Sequence, residues 1–302
     1  MKRADLQDML LLAALWGGAF LFMRIAVPSF GPIALAFVRV AGAAVVLLPL
    51  LLLRGQGPAL RRHWRPLLVL GLTNSALPFL CFGYAALTLP AGLGAIFNAA
   101  TPLSAAIIAW AWLGAPLTRW RCLGLALGFA GVLGLAAVKS GLQTGALDMR
   151  SALAIAACLL GTLLYGHAAS FSRRYLHGVP TMAMACGSQI AAAAWLALPA
   201  ALSWPAQTPG ALAWALAVAL AVLCSGLAYV LYFRLLSNTG PTKAASVTFL
   251  VPVFATVWGA LVLGEAVTWP MLIGGVVIIG GTALVLGLWP RAVAAAPASA
   301  AT

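Results

Sequence analysis

Apolar residues run along this chain in blocks of about twenty, separated by short clusters of Gly, Pro and Arg. At 1.5 Å of rise per residue, a block of that length is what an α-helix needs to cross the roughly 30 Å hydrocarbon layer of a bilayer. The pattern predicts about ten such spans, near 8–27, 31–53, 66–88, 90–113, 120–139, 151–171, 180–203, 211–235, 241–263 and 269–289. No gap between them could hold a soluble domain of ordinary size, so the chain reads as an all-α polytopic membrane protein. The first block follows a basic start and resembles a signal peptide. It lacks a small-residue cleavage pattern and is long enough to span, so it is read as a mature helix.

Composition agrees: 64% of residues are hydrophobic and 7% charged, against roughly half and a quarter in soluble domains. The formal charge of +13 is explained by topology. With the N-terminus inside, Lys2, Arg3, Arg54, Arg61, Arg62, Arg65, Arg119, Arg121, Arg173, Arg174, Arg234, Lys243 and Arg291 all fall on the inner side. Arg24, Arg39, Lys139 and Arg150 fall outside. Because cytoplasmic loops retain Lys and Arg, this split predicts that both termini are cytoplasmic and that the helix count is even. Loops this short supply no water-facing basic scaffold, so no nucleic-acid partner is expected; the partners are the bilayer and a small molecule.

A shift of 150 residues lays Pro102 on Pro252, Gly114 on Gly264, Thr118 on Thr268, Gly124 on Gly274, Gly131 on Gly281 and Ser75 on Ser225. One ungapped register through several spans points to duplicated halves. Halves of about five helices enter the membrane in opposite directions, which makes an inverted repeat and predicts alternating access. The expected organisation is a first repeat over 1–139, a periplasmic linker over 140–150, a second repeat over 151–289 and a disordered cytoplasmic tail over 290–302.

The segments "ALWGGAFLFMRIA", "GPIALAFVRVAGA", "NAATPLSAAIIAWAWLGAPLT" and "TFLVPVFATVWGALVLGEAVT" resemble EamA-type members of the drug/metabolite transporter superfamily, over essentially residues 8–289. The second half matches the family's closing pattern through Pro252, Gly264, Glu265, Thr268 and Gly274; the first departs from it, with Ala115 where Glu is common. The resemblance implies a ten-helix, inverted-repeat secondary transporter of the bacterial inner membrane, often an exporter of amino acids or other small metabolites.

Glu265 is the only glutamate. It falls just past the ninth span, near the start of the tenth, where free backbone N–H groups and the helix dipole favour a carboxylate. Arg39 lies about two turns into the second span from the same side and needs a partner in the membrane. A Glu265–Arg39 clasp between the halves is therefore expected, as a gate or a structural pair.

Ser75, Phe79 and Phe82 share one helical face, as do their equivalents Ser225, Tyr229 and Tyr232. Asn98 and Thr101 stand near mid-span, with Thr248 equivalent to Asn98 and Phe249 beside it. Trp16 and Tyr165 add aromatic area. These residues predict an aromatic, weakly polar and uncharged cavity suited to neutral or zwitterionic substrates; hydrophobic cations held on ring faces are the alternative.

Three aspartates, Asp5, Asp8 and Asp148, fall outside the spans, so no carboxylate relay for protons is expected within the membrane. His167 reads as a lone hydrogen-bonded histidine. The five cysteines stand alone in apolar runs and read as small buried hydrophobes; no metal, cofactor or catalytic constellation is formed, which argues against a membrane-embedded enzyme. Glycines in the fifth and tenth spans read as packing contacts, and they leave a homodimer face open.

Overall fold

The computed structural model describes residues 3–141, 148–240, 244 and 246–288. The expected tail at 290–302, residues 142–147 of the linker, and Lys2, Lys243 and Arg291 lie outside the described residues. Among the described residues every regular element is helical. In chain order these are α1 (Arg3–Leu53), α2 (Gly57–Arg62), α3 (Trp64–Ala85), α4 (Ala91–Leu113), α5 (Arg119–Lys139), α6 (Met149–Tyr175), α7 (Thr181–Leu202), α8 (Ala211–Thr239), α9 (Val247–Leu263) and α10 (Trp269–Val285). Seven of them are long and apolar enough to cross a membrane, and α9 and α10 are shorter apolar helices.

With 51 residues, α1 would be about 76 Å long if straight, more than twice the hydrocarbon thickness. It is not straight. At Gly31 the backbone turns to φ 72° and ψ 160°, a conformation open essentially to glycine alone. The break divides α1 into a first arm, 3–30, and a second arm, 32–53. The loop expected between the first two spans is thus a single residue.

Local deviations from α geometry recur 150 residues apart. A π-helical turn interrupts α3 at Leu72–Ala76 and another interrupts α8 at Val222–Leu227. Gly114 and Gly264 end α4 and α9 in the left-handed conformation, at φ 65° and 64°, which favours glycine. The halves differ at proline. In α4, Pro102 cannot donate to the carbonyl one turn back, and the helix breaks at Ala99–Ala100. At the break Leu103 N–H bonds the Ala100 carbonyl at 2.9 Å, and the Ala99 carbonyl accepts from Thr282 Oγ1 at 3.1 Å. In α9, Pro252 is absorbed without a break.

Packing runs mainly between halves. The first arm of α1 lies against α8 and α9 through Leu12, Ala13, Ala228, Leu231 and Val247. The second arm packs Ala36 and Val40 against Phe79 of α3 and Ala192 and Leu196 of α7. Helices α5 and α10 approach most closely through glycine: a Cβ built on Gly281 would lie 2.5 Å from Gly128 N and 2.6 Å from Gly124 O. Leu53, Leu198, Leu202, Leu261 and Val276 face outward, where lipid is the solvent that tolerates them.

At the loops, Asp148 caps α6, its Oδ1 accepting from Arg150 N–H at 3.1 Å. Hydrogen bonding from Ser151 holds this carboxyl below its ordinary value. Cys81, Cys158, Cys186 and Cys224 are buried, as expected, but Cys122 is exposed; it lies one turn into α5, beside Arg119 and Arg121 at the helix start.

Candidate functional site

A cavity of about 350 Å³ lies between the halves, walled by both arms of α1 and by α3, α4, α6, α8 and α9. Of the residues expected to bind substrate, Trp16, Phe79, Asn98, Thr101, Tyr165, Tyr229, Tyr232 and Thr248 line it. Much of the wall is built in equivalent pairs 150 residues apart: Asn74 with Cys224, Phe79 with Tyr229, Phe82 with Tyr232, Asn98 with Thr248 and Thr101 with Val251. Its rings are mutually braced. Phe82 stacks on Tyr165 at 6.1 Å, Phe20 meets Phe82 edge-on at 5.8 Å, and Trp16 lies 5.6 Å from Tyr232. The break in α4 leaves Asn98 and Thr101 on this wall, with Thr101 Oγ1 donating to Asn98 Oδ1 at 3.4 Å.

Two expected wall residues lie elsewhere. Ser75 is fully buried and accepts from Gln189 Nε2 at 2.9 Å. Its neighbour Asn74, in the same π-helical turn, lies on the wall, as does Ser225 in the matching turn of α8. Phe249 is half-buried and off the wall; it neighbours Thr248, and adjacent helical residues point in different directions.

The expected Glu265–Arg39 clasp does not form. Glu265 Oε1 lies 3.6 Å from Arg24 Nε, and its Oε2 accepts from Ala91 N–H at 2.8 Å. The carboxylate does sit at a helix start, but at that of α4 rather than α10. Arg24 also donates through Nη1 to the Ala86 carbonyl at 2.6 Å. Gly259 has no side chain to obstruct the glutamate. Arg24 is three residues from the outer end of the first predicted span, a position the sequence already placed on the same side as Glu265.

Arg39 instead enters the cavity wall, which is therefore not uncharged. Its Nε–H donates to Ser225 Oγ at 3.0 Å, and its guanidinium lies 3.7 Å from the Phe79 ring centroid. The bond between Arg39 and Ser225 has a counterpart in the bond between Gln189 and Ser75, and the shift of 150 exchanges the two. Each joins a residue of one half to a serine in the π-helical turn of the other.

At the opposite end of the first arm of α1, the buried Asp8 accepts from Arg234 Nε at 2.6 Å and again from Nη2. Asn238 Nδ2 donates to Asp5 Oδ1 at 3.1 Å. Arg24 and Asp8, 16 residues apart on one arm, thus both bind partners from the second half, about 24 Å apart along the helix. Trp16 lies midway. Where a hydrogen-bonded histidine was expected, His167 stacks on Trp112 at 5.2 Å and its buried Nδ1 has no hydrogen-bond partner among the described residues.

The sequence family model described as the EamA-like transporter family matches twice, over residues 8–137 and 152–287. The chain is 26% identical over 277 residues to the uncharacterized transporter YvbV of Bacillus subtilis, covering 91% of this chain and 88% of the relative. It is 29% identical over 299 residues to the uncharacterized inner membrane transporter YedA of Escherichia coli K12, covering 94% and 92%. A crystal structure of another protein shares the fold at a TM-score of 0.65 and 20% identity, covering 94% of this chain and 96% of that one. With both halves matched, this chain is a membrane transporter belonging to the EamA-like transporter family.

Proposed function

We propose that this transporter moves small neutral or zwitterionic metabolites, amino acids foremost, out of a bacterial cell across the inner membrane by alternating access. In this reading the two arms of α1, the six other span-length helices and the shorter apolar α9 and α10 make ten crossings, organised as two inverted five-helix repeats with both termini cytoplasmic. The observation that carries this reading is the placement of the cavity between equivalent positions of the two halves, with a cross-half ionic tie toward each end of the first arm of α1. Opening the Arg24 and Glu265 tie while keeping that of Asp8 and Arg234 exposes one side; the reverse exposes the other.

A cavity of this size, with aromatic walls and few polar groups, fits a small organic molecule. The alternative, hydrophobic cations, is disfavoured by Arg39 in the wall. The acidic residues lie at the ends of the first arm, beyond α9 and at the start of α6, which supports flux that is not driven by protons.

The test is counterflow in proteoliposomes with aromatic, aliphatic and sulfur amino acids and organic cations, with and without an imposed pH gradient. Saturable amino-acid exchange, unchanged by the gradient, is the expected result. Concentrative uptake driven by protons would overturn uncoupled transport, and exchange of cations alone would overturn the substrate class.

A further inference from the structure

Arg39 is a buried charge, 7% exposed, with no opposite charge beside it among the described residues. Its partners are the Ser225 hydroxyl, the Met23 thioether at 3.7 Å from Nη1, and the face of Phe79. The four acidic residues of the chain are occupied elsewhere: Asp8 with Arg234, Asp5 with Asn238, Glu265 with Arg24 and Ala91, and Asp148 at the start of α6. A guanidinium carries five N–H donors in a planar fork matched to a carboxylate. Ser225 and Met23 take two of them, and the group borders the cavity.

Such a charge is costly in a membrane protein, and the scaffold does not require it. The equivalent position in the other half is Gln189, which makes the equivalent bond to Ser75. A neutral amide therefore suffices to tie the second helix of one half to the π-helical turn of the other. The charge is surplus to that task.

We propose that Arg39 is the seat for the carboxylate of the transported compound, with the apolar part of that compound resting on Trp16, Phe20 and Phe82. This rests on the carrier reading above and narrows it: the substrate is a small organic acid or amino acid with a free carboxylate close to an apolar group. Cations lacking an acid group are repelled.

The experiment measures ligand-induced thermal stabilisation of the purified full-length protein with matched compounds: phenylalanine, phenylalaninamide and phenethylamine, and 3-phenylpropionate with its amide. The acids raise the Tm, whereas the amides and amine do not. Arg39→Gln, which installs the residue of the other half, folds with a Tm no lower than the parent and weakens acid binding about a hundredfold. Arg39→Lys keeps the preference for acid over amide at lower affinity, because an ammonium cannot form the two-pronged bond. The proposal is overturned if amides or amines bind as tightly as acids, if the acid preference survives Arg39→Gln, or if no compound in the panel binds. It is overturned equally if Arg39→Gln only lowers the Tm and leaves the ligand order intact, as a structural arginine would. Counterflow separates the two readings. Flux of amines or amides with acids inert removes the seat and leaves the carrier; acid binding that depends on Arg39, without counterflow, keeps the seat and removes the carrier.

Discussion

Glu265 holds two functions in one carboxylate: one oxygen faces Arg24 and the other receives the first N–H of α4. A charge-assisted bond to a helix start is stronger than a neutral one, and the partly buried arginine adds to it. A double-mutant cycle with Glu265→Gln and Arg24→Gln should show a coupling of about 1 kcal/mol in stability. The same cycle with Glu265→Gln and Arg39→Gln should be additive, measured by thermal unfolding in detergent. That contrast bears directly on what the sequence could convey. Burial chemistry expects an intramembrane arginine and a lone glutamate to pair; Glu265 has an arginine beside it, whereas Arg39 has a hydroxyl, a thioether and a ring, because pairing depends on which helix faces which, and no local pattern records that. Ser75 lies off the wall for a related reason: it bonds Gln189 of α7 while its equivalent Ser225 lines the cavity, and a shared stripe position does not record which neighbouring helix each serine meets.

At the scale of elements, hydrophobic block length was enough to show a chain of apolar helices, seven of them of span length, since lipid demands about the same length of each. Their interruptions were harder to read. Gly31 was indistinguishable from many other glycines, and Pro102 and Pro252 are equivalent in sequence although only the first breaks its helix. The glycines of α5 and α10 let the two helices pack closely, and their geometry has a sharp consequence. A methyl group at Gly281 collides with backbone of α5, whereas no described residue lies within 4 Å of one at Gly280. Gly281→Ala should lower stability by about 2 kcal/mol, while Gly280→Ala should be neutral, in the same unfolding assay. Equal effects of the two would show that α5 and α10 do not meet at this face.

Across the whole molecule, the register of 150 residues recurs in the π-helical turns, in the glycines closing α4 and α9, and in the pairs lining the cavity. Its exceptions matter as much. Arg39 lines the cavity and its equivalent Gln189 does not, so a wall built largely of equivalent pairs carries a charge on one side. The three acidic residues of the cross-half contacts, Asp5, Asp8 and Glu265, lie toward the two ends of the arm that carries Trp16, leaving the middle to a single cation.

That lone cation connects the site to membrane voltage. A monocarboxylate seated on Arg39 is neutralised while bound, yet its complete passage moves one negative charge across the bilayer, and an interior-negative potential is worth about 2.3 kcal/mol per charge for each 100 mV. Such a potential expels an organic anion without any coupling ion, whereas a zwitterionic amino acid crosses indifferent to it. In proteoliposomes held at a potassium diffusion potential with valinomycin, efflux of 3-phenylpropionate through this protein should accelerate as the lumen becomes more negative, and phenylalanine efflux should not change. The resting membrane would then itself supply the direction of export for one class of cargo and leave the other to follow its own concentration gradient.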